Sequence, residues 1–127
     1  MQLPENSKQV PVKLYDLHLI DKMCRGNQEQ VKKMVEVFTN EISQSIEEIN
    51  SAYSENDFLE IKKLVHKIKP TLKYFGTETL EKEILQIEAL FTNEIVTSEL
   101  RLKLISASNL TKEVVDKMKN DFNITNP

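Results

Sequence analysis

The chain has 127 residues, a length that suits one domain around one hydrophobic core. Its 2 glycines and 4 prolines leave few turn-formers for an all-β or βαβ fold, and its one cysteine, Cys24, excludes an intramolecular disulfide framework and a cysteine-based zinc site. A net charge of −3 and a pI of about 5.5 argue against a chain that is basic overall and binds nucleic acid, and no apolar run approaches the length of a membrane span.

With only two histidines, His18 and His66, a histidine-rich metal site is not expected either. The opening residues lack the apolar stretch of a secretory signal, so a reduced, cytoplasmic setting is the expectation. Residues 1–13 carry Pro4, Asn6, Ser7 and Pro11 and read as an irregular leader or linker; residues 14–123 read as a helical bundle and 124–127 as a tail.

A short first helix is predicted from about Asp16 to Cys24, with Leu17, Ile20 and Met23 on one side and Gly26 as its stop. Asn27 with Gln30 three residues on forms a capping box for a second helix, Gln28 to Tyr53. Its apolar positions are Val31, Met34, Val35, Phe38, Ile42, Ile46, Ile49 and Tyr53, nearly all three or four apart, which is helix period. Asp57 and Glu60 form the box of a third helix, Asp57 to Phe75, with the stripe Ile61, Leu64, Ile68, Leu72 and Phe75. Gly76 ends it and Thr77 caps a fourth helix bearing Leu80, Ile84, Ile87 and Phe91. After a link at Thr92-Asn93-Glu94, Thr97 or Ser98 caps the last helix, which carries Leu100, Leu104, Ala107, Leu110, Val114, Met118 and Phe122. A bend is expected near Ser106–Asn109, where helix propensity falls. One apolar stripe per long helix and short links point to an all-α antiparallel four-helix bundle, with the short N-terminal helix over one end.

The chemistry concentrates on the third helix. At about 100° per residue, Leu59, Lys62, Lys63, Lys69, Pro70 and Lys73 all fall within roughly 60° of His66, on the face opposite the apolar stripe. His66 is therefore expected in solvent, mid-helix, among ammonium groups. Positive neighbours favour the neutral imidazole, which is a nucleophile without further activation, and the same charges stabilise a phosphoryl group attached to it. Lys69, three residues on, is within side-chain reach. A lysine-rich helix face is ordinarily a solvated face, and an exposed histidine on it ordinarily has no special role. His18 reads as a surface or packing residue and Cys24 as a small buried apolar residue. The sequence has no Ser-His-Asp logic, no glycine-rich phosphate loop and no identifiable pair of catalytic carboxylates.

The segment His66-Lys67-Ile68-Lys69-Pro70-Thr71-Leu72-Lys73-Tyr74-Phe75-Gly76 resembles the phosphorylation-site segment of histidine-containing phosphotransfer (HPt) domains, whose pattern is His-x-x-Lys-Gly, a small or hydroxyl residue, then a glycine near the helix end. The resemblance extends over roughly residues 14–122. It implies a monomeric four-helix bundle with no ATP site, no cofactor and no metal. His66 would take phosphoryl from a phospho-aspartate on a receiver domain and pass it to another, Lys69 would stabilise the phosphoryl, and Gly76 would be the helix-end residue. The implied partners are response-regulator receiver domains, or a hybrid sensor histidine kinase, with no nucleic acid and no membrane. Leu59, Lys62, Lys63, Pro70 and Lys73 are the expected docking residues: a basic stripe on an acidic chain steers an acidic receiver site, with Leu59 as an apolar contact at its centre.

The sequence departs from the pattern at Pro70, where the family commonly has glycine. Proline cannot donate to the His66 carbonyl and its ring crowds it, so a kink at His66 and non-helical geometry at Lys69 are expected. Two further readings compete. One is a helical docking module that binds a receiver or another helical partner but transfers nothing. The other is an enzyme with His66 as general base, for which the sequence offers no second catalytic group.

Overall fold

The computed structural model describes residues 13–92 and 98–125. Five helices follow in order: α1 His18–Met23, α2 Gln28–Ser54, α3 Phe58–Tyr74, α4 Glu78–Thr92 and α5 Ser98–Asp121. No strand occurs among the described residues, as the helical periodicities require. The expected leader up to residue 12, the Asn93-Glu94 part of the expected link, and Thr97 lie outside the described residues. Ser98, the alternative cap, is already the first residue of α5.

The links 55–57 and 75–77 are short and reverse the chain, so α2, α3 and α4 run antiparallel. α2 packs on α3, α3 on α4, α4 on α5, and α5 returns to α2, which closes the four long helices around one core. That core takes Val31, Val35, Phe38, Ile42 and Ile49 from α2, Ile61, Val65 and Leu72 from α3, Leu80, Ile84 and Ile87 from α4, and Leu100, Val114 and Met118 from α5. Each large side chain removed from water this way contributes about 1.5–3 kcal/mol. Phe38 and Phe75 stack with centroids 4.3 Å apart, tying α2 to the end of α3. The stripes were wider than expected: Val65, Ala52 and Val115 are also buried. On α5, Thr111 is fully buried while Leu110 is only partly so, and the Thr111 hydroxyl donates to the Ala107 carbonyl.

Local hydrogen bonds explain where the helices stop. The Asn27 side chain accepts from the Gln30 N–H and the Asp57 side chain from the Glu60 N–H, each at 3.2 Å, so these two expected N-caps form, whereas the hydroxyl of Thr77, expected to cap α4, donates to the Leu72 carbonyl at 2.8 Å. Four C-termini end in the same paired arrangement, in which a left-handed residue lets two successive N–H groups fold back onto the last turn. At α3, Gly76 N–H donates to Lys73 O and Thr77 N–H to Leu72 O, both at 3.1 Å. At α2 the left-handed residue is Asn56 and at α5 it is Asn123. At α1 the left-handed turn begins at Arg25, one residue before the expected stop at Gly26. α1 is also shorter than expected: Asp16 stays outside it and its carboxylate accepts from the His18 N–H. The expected bend in α5 does not interrupt the helix, which continues through Ser106–Asn109.

Candidate functional site

α3 presents two opposite faces. Ile61, Leu64, Val65, Ile68 and Leu72 enter the core. Diametrically across from them, His66 stands in the middle of the helix with its side chain 79% exposed. Lys62, Lys63, Lys67, Pro70 and Lys73 are exposed around it, and Leu59, one turn beyond Lys62 and Lys63 on the N-terminal side, is 66% exposed.

Two expectations about this helix need correction. First, Pro70 does not take Lys69 out of helical geometry: Lys69 lies within α3, which runs through Pro70 to Tyr74. Pro70 faces solvent, where the His66 carbonyl that lacks a donor can be hydrated instead of being buried unpaired. Second, Lys69 is not an open member of the basic ring. Its ammonium turns towards α4, where it donates to both carboxylate oxygens of Glu88, at 2.8 and 3.0 Å. Both side chains of this pair are about three-quarters covered.

Glu88 also approaches the histidine. Its Oε2 lies 3.8 Å from His66 Nδ1, too far for a hydrogen bond and close enough for a charge interaction. One carboxylate thus stands between the imidazole and the lysine. Sequence reasoning missed it, because Glu88 sits 22 positions beyond His66 on a helix whose exposed carboxylates read as solvated surface. A signal existed: in a helical hairpin folding about Gly76, ten residues either side reach His66 and Gln86, which brings Glu88 within a turn of His66.

A second feature lies two helical turns further along α3. Ile20, Met23, Met34, Val37, Tyr74 and Phe75 line an open apolar groove of about 370 Å³ between α1, α2 and α3. Met23, which the sequence places on one side of α1 with Leu17 and Ile20, is 59% exposed on its rim, as are Val37 and Tyr74 at just over half. No single helix announces this groove, since three contribute to it.

Gly76 closes the helix with φ at +64°. The chain entering α1 runs directly over it: Asp16 N–H donates to the Phe75 carbonyl at 3.2 Å, and a Cβ on Gly76 would stand 2.2 Å from the Asp16 carbonyl oxygen. Elsewhere, among the described residues, no cluster of three or more His, Cys, Asp or Glu side chains is placed to hold a metal ion, and no helix is long and apolar enough to cross a membrane. His18 is exposed and Cys24 buried beside Met34.

The fold and site together describe an all-α bundle that offers an exposed histidine on a lysine-rich helix. The family model of the Hpt domain matches residues 33–120, from α2 almost to the end of α5, and the chain belongs to that family. Members of the family carry phosphoryl groups on histidine in phosphorelays, interact with receiver domains and kinases, and are phosphocarriers without an ATP site. Searches of curated proteins and of solved structures found no match.

Proposed function

We propose that this chain is a phosphoryl carrier of a multistep phosphorelay, accepting phosphoryl on His66 from a receiver-domain phospho-aspartate and passing it to a second receiver. The observation that carries this reading is the 79% exposure of His66 at the centre of the lysine face of α3, within a chain of the Hpt family. The imidazole Nε2, the ring nitrogen away from Glu88, attacks phosphorus. The bond from phosphorus to the aspartyl oxygen breaks, and the carboxylate leaves with the electron pair. Return transfer reverses these events. Lys69 is the stabilising cation, and the chain needs no cofactor or metal for the exchange.

Docking uses two adjoining regions. Lys62, Lys63 and Lys73, with Leu59 and Pro70, surround His66 and suit the acidic mouth of a receiver. The groove edged by Met23, Val37 and Tyr74, whose lining on α3 starts at Thr71, begins about 7.5 Å along the helix from His66 and supplies apolar area for a partner that covers the histidine. A monomer in the cytoplasm fits this role, and Gly76 acts as its helix-end residue.

The engagement of Lys69 by Glu88 favours a second reading, a docking module that binds a receiver and transfers nothing. One experiment separates the two. Labelled phospho-receivers are mixed with the protein and with His66→Ala. An acid-labile, alkali-stable adduct on the wild type alone establishes the carrier. Binding of a receiver without label transfer establishes the docking module.

A further inference from the structure

α5 packs on α4 and α2 and stands diagonal to α3, so the α4–α5 side of the bundle lies across the core from the α2–α3 side. On it a second open groove, of about 470 Å³, runs between the two helices. Thr79 and Glu83 line it from α4, and Leu102, Ile105, Leu110 and Glu113 from α5. Leu102 is 61% exposed and Ile105 45%. Both charged lining residues are carboxylates, and among the described residues no basic side chain joins them.

Glu83 is the unusual member. Its side chain is 18% exposed, and its Oε2 lies 3.6 Å from the Lys103 ammonium, which donates its hydrogen bond to the Gln86 side-chain oxygen instead. The other carboxylate oxygen, Oε1, is shut off from water and has no hydrogen-bond partner among the described residues. A charged acceptor left in that state destabilises the free protein, and a donor that reaches it recovers the loss. Exposed leucines and isoleucines scattered over a surface are ordinary; here they share a concave face with an unsatisfied carboxylate.

We propose that the α4–α5 groove is a docking site for an amphipathic helix of another protein, one that carries basic side chains beside its apolar stripe. Two antiparallel helices leave between them a trough that a third helix fills. Leu102 to Glu113 spans about 16 Å, three turns of such a helix. Leu102, Ile105 and Leu110 receive its apolar residues. A lysine or arginine reaches Glu83, its stem lying along the apolar wall, and a second one, two to three turns further on, reaches Glu113. An acidic helix would bring like charge to both carboxylates. The two sides of the bundle therefore sort partners by charge: the lysine face around His66 suits an acidic partner, and the α4–α5 side suits a basic one. Because the sides are separate, a carrier held by this groove keeps His66 open, and the tether raises its local concentration for whatever docks on α3.

The binding claim does not depend on phosphoryl transfer, and its test uses none. The probe is a capped model helix about five turns long, with leucines at helical spacing and two lysines two turns apart. A second peptide has glutamate for lysine, and a third has serine for leucine. Each is titrated into the ¹⁵N-labelled full chain, into Glu83→Gln and into Leu102→Ser. The lysine peptide should shift amide signals of α4 and α5 around the groove and leave those around His66 in place. Glu83→Gln should weaken it about ten-fold, the scale of one lost charge-assisted hydrogen bond, and Leu102→Ser several-fold. The glutamate and serine peptides should bind far more weakly.

Equal binding of the lysine and glutamate peptides, shifts centred on another face, or unchanged affinity in Glu83→Gln overturns the proposal, as does the absence of binding at about millimolar peptide. Sedimentation is run alongside. Dimers of the free protein that vanish in Leu102→Ser would show that a second copy covers this face, which also overturns the proposal. Melting temperatures separate these results from misfolding: Glu83→Gln keeps the side-chain shape, and Leu102 is exposed in the wild type.

Discussion

Gly76 and Asp16 meet backbone to backbone, close enough that a Cβ on Gly76 would stand 2.2 Å from the Asp16 carbonyl oxygen. This contact joins the end of the histidine-bearing helix to the segment entering α1, and it explains why the residue closing α3 carries no side chain. The left-handed φ of +64° is a second, independent reason.

Gly76→Ala should therefore destabilise the bundle more than Gly26→Ala. Both positions have positive φ, which costs a non-glycine residue about 1–2 kcal/mol. Only Gly76 adds a backbone collision, because nothing lies within 4 Å of a Cβ on Gly26. Thermal melts of both variants test this. Equal losses would show that the segment before α1 yields without penalty.

Pro70→Ala should stabilise the protein. Proline in a helix interior is about 3 kcal/mol worse than alanine, and alanine would restore the hydrogen bond to the His66 carbonyl. Pro70 is exposed, so little packing is lost in exchange. Urea unfolding should show a gain of roughly 1–3 kcal/mol, with phosphoryl transfer retained. A loss of stability would mean that Pro70 has a packing role its exposure does not suggest.

Lys62→Glu and Lys73→Glu should slow association with a receiver several-fold at low salt, and the effect should shrink as salt is raised. Both side chains are exposed, so unfolding free energy should change by no more than about 0.5 kcal/mol. Stopped-flow association at two ionic strengths checks this. Salt-independent rates would place the docking surface elsewhere.

The Tyr15 hydroxyl donates to the Asp121 carboxylate, linking the chain before α1 to the last residue of α5. Burial, and then the hydrogen bond and charge of Asp121, raise the Tyr15 pKa well above the ordinary phenol range. The bonds from Tyr15 and then Lys117 hold Asp121 below the ordinary carboxylate range. A raised phenol stabilises the fold below the ordinary value near 10 and loses that contribution at higher pH. A depressed carboxylate stabilises above the ordinary value near 3.9 and loses its contribution as pH falls through the folded value. Tyr15→Phe should thus melt earlier than wild type from about pH 5 to about pH 9, with the gap closing towards both extremes. In an absorbance titration, one of the three tyrosines should ionise late. A uniform gap across pH would mean that the pair contributes packing alone.

Helix positions were legible in the sequence because their signals are local. Apolar residues three and four apart marked α2 to α5, and Asn27 and Asp57 announced their caps through side chains that reach only three residues. The exposure of His66 was legible for the same reason: a helix fixes which residues lie opposite its stripe. The expected loss of helical geometry at Lys69 did not follow, because local reasoning outweighed context. The penalty of Pro70 is a few kcal/mol, and five buried apolar residues on the other face of α3 hold the helix against it.

From sequence alone came the all-α fold, the pairing of each stripe with a polar face, and the lysine surroundings of His66, since all of these follow from helical period and chain order. The tertiary structure decided what crosses between helices. It turned Lys69 to Glu88, brought that carboxylate to His66 Nδ1, opened a groove between α1, α2 and α3, and laid Asp16 on Gly76. Each of these depends on how far and at what angle two helices pack. Many core side chains set that geometry jointly, and no periodicity within a single helix encodes it.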